Sequence, residues 1–194
     1  PKKGTKGRMC IDYRRVNRII KHDRFPLPRI SDVFEALQGA CLFAVLDLKN
    51  GSHQMPVDES SKEITAFTTR DGLFQFNRVP FGLKMAPAYF QRVMNRNFND
   101  LLYNACLIYL DDIIVFGQTL EEFKGNLEKV LRRLTDLRLS LNREKCRIGC
   151  KEVEYLGFIV NAEGRKVSPE RITMLREMGK PETKKDVRRM LGMA

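Results

Sequence analysis

The sequence predicts an α+β fold in which an antiparallel sheet is backed by helices. Short runs rich in Ile, Val, Tyr and Phe are separated by turn residues, as antiparallel strands require. Longer segments carry apolar residues at helical spacing behind recognisable caps. The two kinds of segment are interspersed and do not alternate strictly, which argues against a parallel, doubly wound sheet.

Taken in order, residues 26–31 read as a loop leading into a helix. Ser31 is its expected N-cap, Val33, Phe34 and Leu37 share one face, and Gly39 is the stop. Residues 41–48 read as a buried strand that closes at Asp47. Residues 64–69 and 73–79 flank Arg70, Asp71 and Gly72, a hairpin signal. Residues 88–102 read as a helix with Pro87 in its first turn. Residues 105–117 read as two strands with Asp111 and Asp112 at their tip. Thr119 and Glu122 form a capping box opening a helix whose stripe is Leu120, Phe123, Leu127, Val130, Leu131 and Leu134. Residues 153–160 alternate weakly and read as one strand. Ser168 and Pro169 start a further helix, and Thr183 with Asp186 caps another.

The acidic pair breaks a local rule. A two-residue hairpin turn favours Asn-Gly or Asp-Gly, because its central residues take positive φ. Asp111 and Asp112 supply no glycine and set two negative charges beside apolar strands. Such a conflict marks a functional site, and clustered carboxylates are relieved by a hard divalent cation.

The charge distribution supports an anionic partner. The net charge is +11, with net +7 in residues 1–24, net +5 in residues 164–194, and net −1 between them. Basic ends around a carboxylate-bearing middle suit a polyanion gripped from two sides, although solvated helix surfaces use the same charges. The chain starts at Pro1 and stops inside an expected helix, so it reads as part of something longer. Its 194 residues suffice for one large core or two subdomains. Five cysteines form no paired framework. Cys41 and Cys106 lie in apolar runs and read as small core residues of a reducing, intracellular compartment, and Cys146 with Cys150 lacks a second pair for zinc. No apolar run approaches the roughly 20 residues a membrane span needs, so no membrane partner is expected.

Asp47 joins the acidic pair if the two strand ends are neighbours. Three converging carboxylates can hold two divalent ions roughly 3.5–4 Å apart, the arrangement for in-line phosphoryl transfer. Positioning and charge neutralisation then dominate, and no histidine base is needed. From spacing alone this describes a two-metal enzyme, a nucleotidyl cyclase included.

Several ordered blocks go further. They are Arg8 to Arg14 with Asn17; Asp23 to Pro28; Leu46 to Gly51 with His53 and Gln54; Phe81 to Lys84 with Ala86 and Pro87; Phe90 and Gln91; Tyr109 to Asp112; Leu141 and Asn142 with Lys145 and Cys146; Tyr155 to Gly157; and Leu191 and Gly192. On these blocks nearly the whole chain resembles the reverse transcriptase of Ty3/gypsy-type LTR retrotransposons. The resemblance implies a right-hand polymerase with fingers at 1–22 and 55–84, a palm at 23–54 and 85–163, and the start of a truncated thumb at 164–194. It implies transfer of deoxynucleoside triphosphates to a primer 3′ end on an RNA or DNA template. It also implies two Mg2+ ions, with Mn2+ as a substitute, and RNase H and integrase segments elsewhere in a polyprotein. The place of work would be a cytoplasmic particle or the nucleus.

Carried over by motif position, Asp47 and Asp111 match the main metal ligands, the Leu48 carbonyl a backbone ligand, and Asp112 the third carboxylate. Arg8 matches a fingers arginine meeting the triphosphate, with Lys2 or Lys3 assisting. Phe81 and Gly82 match the segment packing on nucleotide and template. Tyr109 matches a residue beside the primer terminus, and Gln91 is grouped with the primer–template residues. Leu156, Gly157 and Phe158 match the hairpin that steadies the primer. Core packing is the competing role for Phe81, Tyr109 and Phe158. The chain departs from the family at Ser52, where Tyr or Phe blocks a ribose 2′-OH; a small residue there implies weak rejection of ribonucleotides. Met85, Tyr89 and Arg138 replace the common Asn, Thr and Gly, and Gly7 and Met178 lie where the family carries tryptophan. The competing function is a catalytically silent, nucleic-acid-binding remnant. The blocks at 8–14 and 81–91 argue against the cyclase.

Overall fold

The computed structural model describes residues 10–21, 23–177, 180–181 and 183–191. A short helix α1 (Arg14–Ile19) buries nothing of its own, and α2 (Ile30–Ala36) buries Val33 and Phe34. The cap of α2 is Arg29 rather than Ser31, whose hydroxyl lies inside the helix and donates to Asp32 Oδ1 at 3.0 Å. Strand β1 (Leu42–Asp47) follows, preceded by Cys41, which is exposed where a core position was expected. Cys106 is buried as expected, and burial pushes its thiol up to about 12.

Two 3₁₀ segments come next, Gly51–Gln54 and Glu59–Thr65. The second takes Ile64 and Thr65 from the strand expected at 64–69, and Asp58 caps it by accepting the Ser60 N–H at 3.0 Å. Buried Thr65 holds its end, donating to the Lys62 carbonyl and accepting the Phe76 N–H at 2.9 Å. The hairpin is therefore shorter than expected, with β2 (Phe67–Thr69) pairing β3 (Gly72–Phe74). Helix α3 (Ala86–Asn97) has Pro87 in its first turn and stops earlier than residue 102. Its last carbonyl, on Asn97, accepts from Arg133.

Strands β4 (Cys106–Tyr109) and β5 (Asp112–Gly117) form the expected hairpin. Helix α4 (Leu120–Asp136) follows, with Thr119 Oγ1 accepting the Glu122 N–H. The reciprocal bond of the capping box runs to the Gln118 N–H, at 2.8 Å. Leu120, expected on the apolar stripe, is exposed, while Phe123, Val130 and Leu134 are buried. Strand β6 (Arg147–Cys150) precedes a three-stranded sheet of β7 (Glu152–Tyr155), β8 (Phe158–Asn161) and β9 (Gly164–Val167). The single strand expected at 153–160 is thus a hairpin, turned at Leu156 (φ 52) and Gly157 (φ 78). Helices α5 (Pro169–Glu177) and α6 (Lys184–Leu191) complete the order, the latter capped by Thr183 and Asp186 as expected.

The main sheet is antiparallel, in the order β4-β5-β1-β6. Because successive strand residues face opposite ways, it separates two cores. Ala44, Leu46, Ile108, Ile113 and Val115 pack with Phe90, Met94 and Phe98 and with Phe123, Val130 and Leu134, so α3 and α4 back this face. Phe43, Leu107, Ile114 and Phe116 pack on the other face with Val33, Phe34, Val153, Tyr155 and Val160. Side chains such as Phe43, Phe90 and Phe98, wholly buried, contribute roughly 1.5–3 kcal/mol each. No described helix is long and apolar enough to cross a membrane.

Candidate active site

Asp47 ends β1 and Asp112 begins β5, and the two are directly opposite in the antiparallel register. They share a sheet face, since paired residues point the same way. Tyr109 is opposite Asp112 on the other side, so one row carries Tyr109, Asp112 and Asp47. Asp112 is therefore part of the strand, and the two-residue turn is Leu110 and Asp111, a correction to the expected tip. Leu110 takes φ 55, and the Asp111 carbonyl accepts the Leu48 N–H at 3.1 Å. That bond ties the turn to the end of β1.

Electrostatics show the carboxylates acting on one another. The Asp112 carboxyl is raised above the ordinary aspartate value by burial, then by the charges of Asp111 and Asp47, against an opposing pull from Lys145. The Lys145 ammonium is 3.4 Å from Asp47 Oδ2. All the candidate donors are oxygens, which is the right chemistry for Mg2+ or Mn2+. The closure of the donor set is incomplete, however. Among the described residues, no three acidic, His or Cys side chains are gathered tightly enough to cage an ion as they stand. The expected convergence of Asp47, Asp111 and Asp112 holds for their backbone placement and not for their side-chain tips. Like charges repel without a cation, and Lys145 draws on Asp47.

The floor of the site is the segment after β1. The Leu48 side chain is buried, and its carbonyl accepts the Gly51 N–H at 3.3 Å, leaving a second lone pair. Gly51 takes φ 45, and a Cβ there would lie 3.1 Å from Asp111 Oδ2, so the backbone itself packs against that carboxylate. Ser52, half-buried, is the next residue of this 3₁₀ turn. Gln54 fixes the turn's far end by exchanging two amide bonds with the Ser140 backbone, at 3.0 and 2.7 Å. His53 Nδ1 is 2.9 Å from the Val79 carbonyl, and its ring stacks on Phe81 with centroids 5.2 Å apart.

Gly82 follows Phe81 at φ 94 and is held by Asn17. The Asn17 amide donates to the Gly82 carbonyl at 2.7 Å and accepts the Lys84 N–H at 2.9 Å. Lys2, Lys3 and Arg8 lie outside the described residues. Tyr109 is half-buried beside Asp112, against the second core. Leu156 and Gly157 form a half-buried turn whose Gly157 carbonyl accepts the Ser168 N–H at 3.1 Å. Phe158 meets Phe34 edge-on at 4.9 Å and lies under the guanidinium groups of Arg165 and Arg171.

Gln91 requires a correction. Grouped with residues that touch primer and template, it is instead wholly buried, facing the back of the acidic hairpin. Helix α3 packs that face of the sheet, so no nucleic acid reaches this amide. Gln54, Lys145, Asn17 and His53 gained no individual role from sequence, although each stands inside a block that carried the resemblance. Arg165 and Arg171 had no signal beyond the basic C-terminal region.

Comparisons with known proteins identify the family. A family model described as reverse transcriptase (RNA-dependent DNA polymerase) matches residues 1–160. The chain is similar to the Retrovirus-related Pol polyprotein from transposon 297 of Drosophila melanogaster, 39% identical over 189 residues, covering 97% of this chain and 18% of that protein. It is 36% identical over 199 aligned positions to the corresponding polyprotein from transposon gypsy of the same organism, covering 100% of this chain and 19% of that one. It thus spans under a fifth of either relative. Among solved structures, it is similar to a foamy viral protease-reverse transcriptase in complex with double-stranded DNA, with TM-score 0.86 and 27% identity over 100% of this chain and 34% of that one. A foamy viral protease-reverse transcriptase in complex with an RNA/DNA hybrid matches with TM-score 0.80 and 27% identity, over 96% and 25%.

Proposed function

The chain belongs to the reverse transcriptase (RNA-dependent DNA polymerase) family, with relatives of the Ty3/gypsy type, and on that premise we propose that it is the polymerase segment of a retrotransposon polyprotein. In this reading it adds deoxynucleotides to a primer 3′ end, directed by an RNA or DNA template. The observation that carries the reading is Asp47 opposite Asp112, with Asp111 in the adjoining turn. These carboxylates, with the Leu48 carbonyl, would hold the divalent cations. When bound, the cations supply activation of the attacking hydroxyl and stabilisation of the leaving pyrophosphate.

The chain's own groups do the positioning. Gly51 leaves room for the Asp111 carboxylate, and the bond from Leu48 N–H fixes the turn relative to β1. The Phe81–Gly82 corner, set by Asn17 and His53, offers an aromatic face and a bare backbone to nucleotide and template. Tyr109 and Leu156, both packed against the second core, serve the primer, and Arg165 and Arg171 supply cations for its phosphates. Lys2, Lys3 and Arg8 would meet the triphosphate. The fingers, palm and thumb divide as the sequence blocks imply, and RNase H and integrase segments accompany the chain in the longer polyprotein.

Ser52 makes the sugar pocket wide. Incorporation of ribonucleotides within about tenfold of deoxynucleotides is the expected result, with Ser52→Tyr restoring rejection; strong rejection by the unmodified chain would dispose of this point. The main test is Mg2+-dependent primer extension on an RNA template, with Asp111→Asn as control. Extension by the wild type and none by the variant supports polymerase chemistry. The Lys145 contact on Asp47 favours one rival, a silent nucleic-acid-binding remnant, which binds primer–template but extends nothing.

A further inference from the structure

Strand β4 is an edge strand, and its outer backbone groups need partners. The Ile108 carbonyl and the Leu110 N–H point the same way, two residues apart, as a strand's outward groups do. Gln91 satisfies both. Its carboxamide oxygen accepts the Leu110 N–H at 2.7 Å, and its nitrogen donates to the Ile108 carbonyl at 2.9 Å. The second N–H of the amide goes to Asn95 Oδ1 at 2.8 Å, which fixes the orientation of the group. One side chain thus serves β4 as the peptide group of a neighbouring strand would, right at the turn that carries Asp111.

The turn needs such help. Leu110 sits at φ 55, a left-handed conformation that non-glycine residues rarely adopt, and no glycine follows it. Gln91 is 0% exposed, so its hydrogen bonds act where water does not compete. Residues on this side of the turn hold only backbone, leaving the Asp111 carboxylate free to face Gly51.

We infer that Gln91 is a positioning residue: its buried amide sets the conformation of the Leu110–Asp111 turn and thereby the placement of the Asp111 carboxylate for metal and nucleotide. The inference rests on the polymerase reading. It gives Gln91 no contact with substrate.

The test compares wild type, Gln91→Met and Gln91→Glu in primer extension on an RNA template, counting active sites by burst amplitude so that misfolded protein does not enter the rate. Mn2+ affinity is measured alongside by the paramagnetic resonance of the free ion, with Asp111→Asn as reference. Removing a group that orients a metal ligand costs about 10- to 100-fold, so Gln91→Met should lose that much in kcat and bind Mn2+ several-fold more weakly, with primer–template affinity unchanged. Gln91→Glu keeps an oxygen for the Leu110 N–H and should fall between the two. If Gln91→Met does not fold, Gln91→Glu carries the comparison, and wild-type kcat and Mn2+ affinity in it would overturn the inference. A Gln91→Met chain that melts lower yet turns over and binds Mn2+ as before overturns it alone. A wild type that neither extends primer nor binds Mn2+ better than Asp111→Asn overturns the polymerase reading and this inference together.

Discussion

Of the two-residue hairpin turns among the described residues, two begin with a leucine at positive φ. At Leu156 (φ 52) the next residue is Gly157 (φ 78), the sign pattern of a turn that twists with its strands. At Leu110 (φ 55) the next residue is Asp111. The first turn has a glycine at its second position, with one outside bond from the Ser168 N–H to the Gly157 carbonyl. The second is shaped by its neighbours, through the Gln91 amide and the bond from the Leu48 N–H to the Asp111 carbonyl. A glycine makes a hairpin turn by itself; an aspartate offers a carboxylate and leaves the shape to be supplied from elsewhere.

The sharpest way to break this contrast is to make the turns alike. Asp111→Gly should reduce primer extension to background while the metal-free protein melts at or above the wild-type temperature. A clear fall in melting temperature would mean that Asp111 has a structural role. Gly51→Ala should come next in size. Its Cβ would press on Asp111 at 3.1–3.3 Å, and a displacement of a few tenths of an ångström in a ligand should cut turnover about tenfold. Steady-state kinetics with unchanged primer–template affinity would confirm it. Alanine tolerates φ 45 and φ 78 poorly, so both variants should lose about 1–2 kcal/mol in denaturant unfolding, and Gly157→Ala should show that loss without the fall in turnover. The nearest atoms there belong to the flexible Arg171 side chain, which can move aside.

The smallest effect is a pH dependence. The folded Asp112 carboxyl titrates above its unfolded value because of burial first, then Asp111 and Asp47. The stability linked to a raised acid is full below the unfolded pKa and is lost as pH rises through the folded one. In chelator at pH 7, Asp112→Asn should therefore melt higher than wild type, and the gap should shrink as pH falls toward the ordinary aspartate range. A constant gap across a pH series would break the assignment.

The contrast also explains what was legible in the sequence. Asp47 is legible at the end of its strand because an unbroken apolar run leads to it. The acidic hairpin was read from its flanking Ile, Val and Phe, but the turn was misplaced by one residue. Register decides that point, since Asp112 pairs with Asp47, and register depends on a partner 65 residues away. The turn at Leu156 and Gly157 is legible only through the resemblance, because the alternation is weak and no Asn or Asp precedes the glycine. Ile64 and Thr65, expected to open a strand, belong instead to a 3₁₀ segment begun by Asp58, whose cap bond no strand pattern records. Gln91 misled for a plain reason. A polar residue on a helix suggests solvent, and only the assembled edge of β4 shows what its amide is for.

The Asn17 bridge has a mechanical meaning. A carboxamide engaged at both ends behaves as a strut, so α1 and the Phe81–Gly82 corner, 65 residues apart in the chain, travel as one piece. In the proposed polymerase, a load on α1 would pass to the surface offered to the template, and a slip there would be felt in α1.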